Sequence, residues 1–150
     1  MAIEDIPSTM LAAQVIEFHR PYKIHRVPTP NTLAPHDILL KTAVASLCHT
    51  DSMVQAGIMG TPVPCIASHE GTGTVVATGS AVTDFKEGNR VMAGLPRNRC
   101  GHCAECVGDE TYRQYCRNIS GHVGVTLDGC FAEYVVVDAR ESCRIPDKCS

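Results

Sequence analysis

Apolar and polar positions alternate over short stretches of this chain, and glycine or proline ends each stretch before a helical repeat can establish itself. Met10–Phe18 (M-L-A-A-Q-V-I-E-F) predicts a first strand. The looser alternation of Tyr22–Val27 predicts its partner, and P-T-P-N at 28–31 turns the chain. His36–Ser46 is the longest strand candidate, apolar and β-branched on both faces. Cys48–Ala56 predicts a short helix stopped by Gly57, and Pro62 and Pro64 force an extended loop. Gly73–Ala77, Arg90–Ala93, Phe131–Val137 and Ser142–Ile145 complete the set of strands. Many short strands separated by turn signals predict a mainly β domain, a small and partly open barrel with one or two short helices.

Composition narrows the classes of function. With 44% hydrophobic and 19% charged residues over 150 positions, the chain is globular and has the size of one domain, 1–150. The absence of Trp and the presence of only three Phe leave the core to Val, Ile, Leu and Ala. A net charge of −3 without runs of like charge argues against a nucleic-acid partner or an anionic membrane surface. No apolar run approaches a membrane span, and the acidic, proline-broken start M-A-I-E-D-I-P is neither a signal nor a transit peptide. Nine cysteines is an odd number, which disfavours a closed disulfide framework and points to a reducing cytoplasm.

Four of those cysteines lie in C-G-H-C-A-E-C-V-G-D-E-T-Y-R-Q-Y-C, residues 100–116. Two Cys-x-x-Cys steps share Cys103, so one tight turn aims Cys100, Cys103 and Cys106 at a single point, and Cys116 closes the set. Four thiolates at the corners of a tetrahedron satisfy one zinc ion. The polar stretch V-G-D-E-T-Y-R-Q-Y cannot order itself by apolar burial, so a metal would supply that energy. Disulfides would need an oxidising compartment, and a rubredoxin-like iron site usually shows two separated Cys-x-x-Cys pairs. His102, inside the first turn, is expected to face solvent.

A second constellation joins Cys48 to the pair His69-Glu70. Each alone is weak: a single cysteine is most often a small buried hydrophobe. Together they suit a catalytic zinc, which takes a few protein ligands and keeps one position open. Asp51 and Glu70 are outer-shell candidates expected to orient His69. The run G-T-G-T-V-V at 71–76 mimics a dinucleotide fingerprint, but Val76 stands at the third glycine position. Gly71 and Gly73 are read instead as permitting close backbone approach within a strand.

These motifs, C-H-T-D at 48–51, H-E-G-T-G at 69–73, G-N-R-V at 88–91, the cysteine lobe and G-C-F-A-E-Y at 129–134, occur in one order across nearly the whole chain. In this the chain resembles the zinc-dependent medium-chain alcohol dehydrogenases, and its nine-residue gap before Cys116 resembles a fungal or microbial branch. The resemblance implies a GroES-like domain, with a projecting zinc lobe and no Rossmann domain within these residues. It implies that Cys48 and His69 ligate a catalytic zinc and that Thr50 relays the proton of the alcohol. It also implies that His49 meets the cofactor pyrophosphate, with Asp51 and Glu70 beside the metal. A third cysteine ligand and a nucleotide-binding domain are expected beyond Ser150, so NAD or NADP belongs to a full-length context.

Three positions depart from the family pattern: Ser68 for a glycine, Asn89 for an aspartate, and Met53 where a second relay histidine often stands. The expected function is the zinc-binding portion of an NAD(P)-dependent dehydrogenase acting on small alcohols or aldehydes. Such a portion is expected to be inactive alone and prone to self-association through uncovered apolar surface. The alternative is a non-catalytic, zinc-stabilised β module for binding or oligomerisation, which has no use for the combination of Cys48, Thr50, His69 and Glu70.

Overall fold

The structure is a computed structural model and describes residues 6–149; the start of the N-terminal stretch read above, residues 1–5, lies outside them, as does Ser150. Strands β1 (Thr9–Val15) and β2 (Lys23–Pro28) form an antiparallel hairpin, to which β4 (Cys65–Ile66) adds on the far side of β1. A second sheet has five strands in the order β10-β6-β5-β3-β9. These are β3 (Asp37–Ala45), β5 (Gly71–Thr78), β6 (Arg90–Met92), β9 (Tyr134–Asp138) and β10 (Cys143–Arg144). Strands β7 (Pro96–Arg97) and β8 (Gly121–His122) make a short ribbon. Helix α1 is His49–Gln55 and α2 is Ala104–Val107, with 3-10 turns at Glu110–Tyr115 and Ala139–Glu141. The described residues are mainly β, with no closed barrel among them, as the pattern of short strands predicts.

Side chains of consecutive strand residues point to opposite faces, and here both faces of the larger sheet are covered. Ile38, Leu40, Val75, Val91, Val135 and Val137 form one core cluster. Leu39, Val76, Tyr134 and Val136 turn the other way and pack with Met10 and Ala12 of β1 and with Ile66, and Ala77 joins them because the register of β5 shifts opposite Leu39 and Leu40. Burial of each large aliphatic side chain contributes roughly 1.5–3 kcal/mol. A third cluster of Val15, Val54, Ala67 and Val125 seats α1 on the hairpin side, and Phe18, Tyr22 and Phe131 pack against it.

Most predicted boundaries shift by one or two residues, and three features differ by more. Strand β1 stops at Val15 because the chain turns through His19, which has φ of 61° and whose amide bonds to the Gln55 carbonyl. Strand β9 starts at Tyr134 rather than Phe131, because residues 131–133 cross between the sheets. The Phe131 amide donates to the Ala67 carbonyl and that of Glu133 to Leu11. The proline-rich loop ends in the two-residue β4. The reading of Gly73 holds, since an added Cβ would sit 2.4 Å from the Lys41 carbonyl oxygen; at Gly71 it is the Cys130 side chain that comes close, with its sulfur 2.4 Å from such a Cβ. Among the described residues no helix is long and apolar enough to cross a membrane.

Two cysteines outside both clusters carry a pH consequence. Burial pushes the thiols of Cys65 and Cys130 up to about 12. An unfolded chain ionises these thiols near pH ~8.5–9, so alkali favours unfolding until the folded values are reached. Stability should therefore be flat through neutrality and fall as pH rises from about 9 towards 12. Denaturant melts at pH 8 and pH 10.5 check this, and Cys65→Ala with Cys130→Ala should flatten the alkaline loss.

Candidate metal centres

The lobe closes as its spacing predicts. The ligand atoms of Cys100, Cys103, Cys106 and Cys116 all lie within 4.8 Å of one another. Sulfur–sulfur separations are 4.0 Å for Cys100–Cys106, 3.7 Å for Cys103–Cys116 and 3.6 Å for Cys116–Cys100. A tetrahedron with zinc–sulfur bonds of about 2.3 Å has edges of about 3.8 Å, so the four thiols fit one zinc ion. Main-chain N–H groups of His102 and Cys103 stabilise the Cys100 thiolate and pull its thiol down to about 5. The amides of Cys100 and Cys103 donate to the sulfurs of Cys116 and Cys100 at 3.4 Å. The His102 ring is exposed, with Nδ1 3.0 Å from the Cys100 carbonyl oxygen, away from the sulfurs.

The second centre assembles from two separate segments. Cys48 is the N-cap of α1, and its sulfur accepts the Thr50 amide at 3.2 Å. His69 lies two residues before β5, and its Nε2 is 3.3 Å from the Cys48 sulfur. Tetrahedral zinc with one sulfur and one nitrogen ligand would set these atoms about 3.5 Å apart, so the pair fits the ion. The Glu70 carboxylate joins the group, all ligand atoms again within 4.8 Å, and is solvent-exposed. Thr50 is half-buried beside Cys48, and His49 is exposed at the first turn of α1.

Asp51 holds the two segments together by a route other than the expected contact with the His69 ring. Its Oδ2 accepts the Cys48 amide and its Oδ1 accepts the Ser68 amide, both at 2.8 Å, in a side chain only 1% exposed. One carboxylate thus fixes the residue that bears the sulfur and the residue that precedes the imidazole. Ser68 has φ of 71°, left-handed backbone that explains why glycine is usual there; its hydroxyl donates to the Ser46 carbonyl at 3.1 Å.

Three supporting residues escaped the sequence reading. The Tyr22 hydroxyl donates to the Asp51 carbonyl at 2.9 Å, and its ring meets Phe131 edge-on at 6.0 Å. Asp128 accepts the Ile66 amide at 2.8 Å. Gly124, with φ of 72°, lies so close behind the Ser68–His69 peptide that a Cβ would sit 2.3 Å from the Ser68 carbonyl carbon. The signal was present in G-V-T-L-D-G at 124–129, where two glycines flank an aspartate as in a tight turn.

Comparison with known proteins places the chain in a family. Residues 34–147 match the family described as the alcohol dehydrogenase GroES-like domain. L-threonine 3-dehydrogenase of Escherichia coli is 41% identical over 128 residues, covering 83% of this chain and 36% of the relative. The chain therefore spans about a third of the length of the curated relatives it matches. Among solved structures, a thermostable alcohol dehydrogenase of Pyrobaculum aerophilum with cobalt and zinc bound superposes with TM-score 0.81 at 29% identity, covering 93% of this chain and 42% of that one. Acetophenone reductase of Geotrichum candidum in complex with NAD gives TM-score 0.82 at 27% identity, covering 97% and 42%. With its four-thiolate lobe, its Cys48–His69 pair and this match, the chain belongs to the alcohol dehydrogenase GroES-like domain family.

Proposed function

We propose that this chain is the metal-bearing portion of a zinc-dependent, NAD(P)-linked dehydrogenase that converts small alcohols to aldehydes or ketones in the cytoplasm. The carrying observation is the 3.3 Å approach of the Cys48 sulfur to His69 Nε2, beside Glu70. A zinc-stabilised binding module would have no need of that approach.

Within this reading each side chain has a task. Cys48 and His69 would hold zinc, which supplies Lewis acidity towards the substrate oxygen. Thr50, next to Cys48, takes the proton of the substrate hydroxyl and passes it to solvent. His49, exposed at the start of α1, places a donor where a cofactor phosphate would lie. Glu70 balances the positive charge of the centre from its solvent side. Cys100, Cys103, Cys106 and Cys116 would hold a second zinc, whose work would be to order the lobe.

Hydride transfer requires donor carbon and nicotinamide in near-attack geometry. Among the described residues no glycine-rich strand–turn–helix unit is present to seat the cofactor. The chain alone should bind metal at both centres, weakly at Cys48–His69, and show no alcohol-dependent reduction of NAD or NADP. Cobalt titration tests the reading, since each thiolate–cobalt bond gives charge-transfer absorbance. Two phases are expected, and Cys48→Ala should abolish only the weaker. An unchanged titration in that variant would defeat the assignment, and alcohol-dependent turnover by the chain alone would defeat the expectation of inactivity.

A further inference from the structure

The lobe leaves the sheet through a stem, and the stem is gripped by charged side chains hydrogen-bonded to one another and to main chain rather than to a ligand sulfur. Asp37 and Asp138 face each other in the antiparallel register of β3 and β9, and both are fully buried. Each receives the planar fork of one arginine. Arg97 of β7 bonds Asp37 through Nη2 at 2.6 Å and Nε at 3.1 Å. Arg140, in the 3-10 turn after β9, bonds Asp138 through Nη2 at 2.6 Å and Nε at 2.9 Å. The free oxygen valences are filled by main-chain amides: Ala34 on Asp37 at 2.8 Å, and Asn98 and Arg140 on Asp138 at 2.9 and 3.0 Å.

The grip covers three consecutive stem residues. Arg97 is held by its side chain. Asn98 is held by its amide, in left-handed backbone with φ of 57°. Arg99 is held by its carbonyl, which accepts Arg140 Nη2 at 3.3 Å, and by an ion pair to Glu141 at 2.7 Å. Opposite them, the Ser120 amide donates to the Arg97 carbonyl and the Val123 amide to the Leu95 carbonyl, both at 2.9 Å.

We propose that Asp37, Asp138, Arg97 and Arg140 form a buried clasp that keeps the stem folded on the sheet without metal and so confines metal-linked folding to residues 100–119. Buried ion pairs often add little net stability over apolar residues of the same shape, but an arginine fork fixes direction and register. Fixing register is what two short strands, β7 and β8, cannot do for themselves. Loss of zinc removes no bond of the clasp, because no sulfur takes part in it. The held stem in turn brings Cys100 and Cys116 near each other before metal arrives, which lowers the entropy of closing the site. The proposal rests on reading the lobe as a metal site.

Hydrogen exchange on the chain, zinc-loaded and after chelation, is the test. In the parent protein, chelation should speed exchange in residues 100–119 by at least ~10-fold while the Ser120 and Val123 amides change by less than ~3-fold. In Arg97→Gln those stem amides should follow the lobe, and zinc affinity of the lobe should fall by about 10-fold. Arg97→Lys keeps the charge beside Asp37 but not the fork, so it spares the fold while giving an intermediate response. Stem amides that follow the lobe in the parent, or stay protected after chelation in both variants, would overturn the clasp. A parent chain that takes up no zinc at the lobe would refute the metal reading and the clasp together; zinc uptake with a stem that melts refutes the clasp alone.

Discussion

Cys103→Ser should strip the lobe of its metal and disorder residues 100–116 while the two larger sheets stay folded. Cys103 belongs to both Cys-x-x-Cys steps, and its sulfur is 3.7 Å from that of Cys116 across the tetrahedron. A serine hydroxyl does not ionise near neutrality and is a poor zinc ligand, so the site falls to three thiolates. Structural zinc in small domains contributes an apparent ~10–16 kcal/mol at pH 7, all of it folding free energy where nothing else orders the segment. Little else orders this one. The 3-10 turn Glu110–Tyr115 buries no residue and α2 buries only Cys106, itself a ligand. Holding each residue in one conformation costs ~1–2 kcal/mol of backbone entropy, and exposed hydrogen bonds such as Arg113–Glu110 do not offset that. The sheet order β10-β6-β5-β3-β9 includes none of the four ligands, so its melting should shift little. Metal analysis should show one zinc fewer per chain, with loss of exchange protection confined to the lobe. Equal metal content in variant and parent would show that the lobe is not the site.

Most of this architecture was legible because its signals are local. Cys-x-x-Cys steps bring sulfurs together through one turn of chain, and alternating Val, Ile and Leu mark strands whichever partner they find. The legible part of the second centre was its ligand set, since Cys48 and His69 sit in short motifs. What joins them was not legible. Asp51 was placed in the neighbourhood, but the choice of main-chain amides over the imidazole depends on Ser68 arriving in left-handed backbone from a distant loop. The strands β7 and β8 are two residues long and carry no periodicity at all; the β7 side of the ribbon is fixed by Asp37, sixty residues before Arg97, and by Asp138, forty residues after Asn98. Likewise the late start of β9 follows from residues 131–133 bonding to Leu11 and Ala67, contacts that no window of sequence contains.

Asp51→Ala should cost both stability and the weaker metal site. The carboxylate is buried, and its loss leaves the amides of Cys48 and Ser68 without their acceptors. The buried Ser68 donor left unsatisfied costs about 1–3 kcal/mol and the part-buried Cys48 donor less, so roughly 2–4 kcal/mol is at stake. Asp51→Asn separates packing from acceptance. It has nearly the same shape, yet only its carbonyl oxygen accepts, and its NH2 group must face the other amide. The asparagine variant should therefore lose roughly half as much stability as the alanine variant. Unfolding by denaturant gives these two numbers. The functional reading comes from cobalt binding at Cys48–His69. Neither variant removes a ligand, but both release the N-cap of α1 from the segment before His69, and the 3.3 Å approach of sulfur to Nε2 depends on that tie. Affinity at this centre should drop by about 10-fold or more, in the range seen when partners behind metal ligands are removed. The four-thiolate lobe, which Asp51 does not touch, should bind as before. Destabilised variants with an unaltered Cys48–His69 cobalt spectrum and affinity would mean that Asp51 supports the fold and not the metal centre.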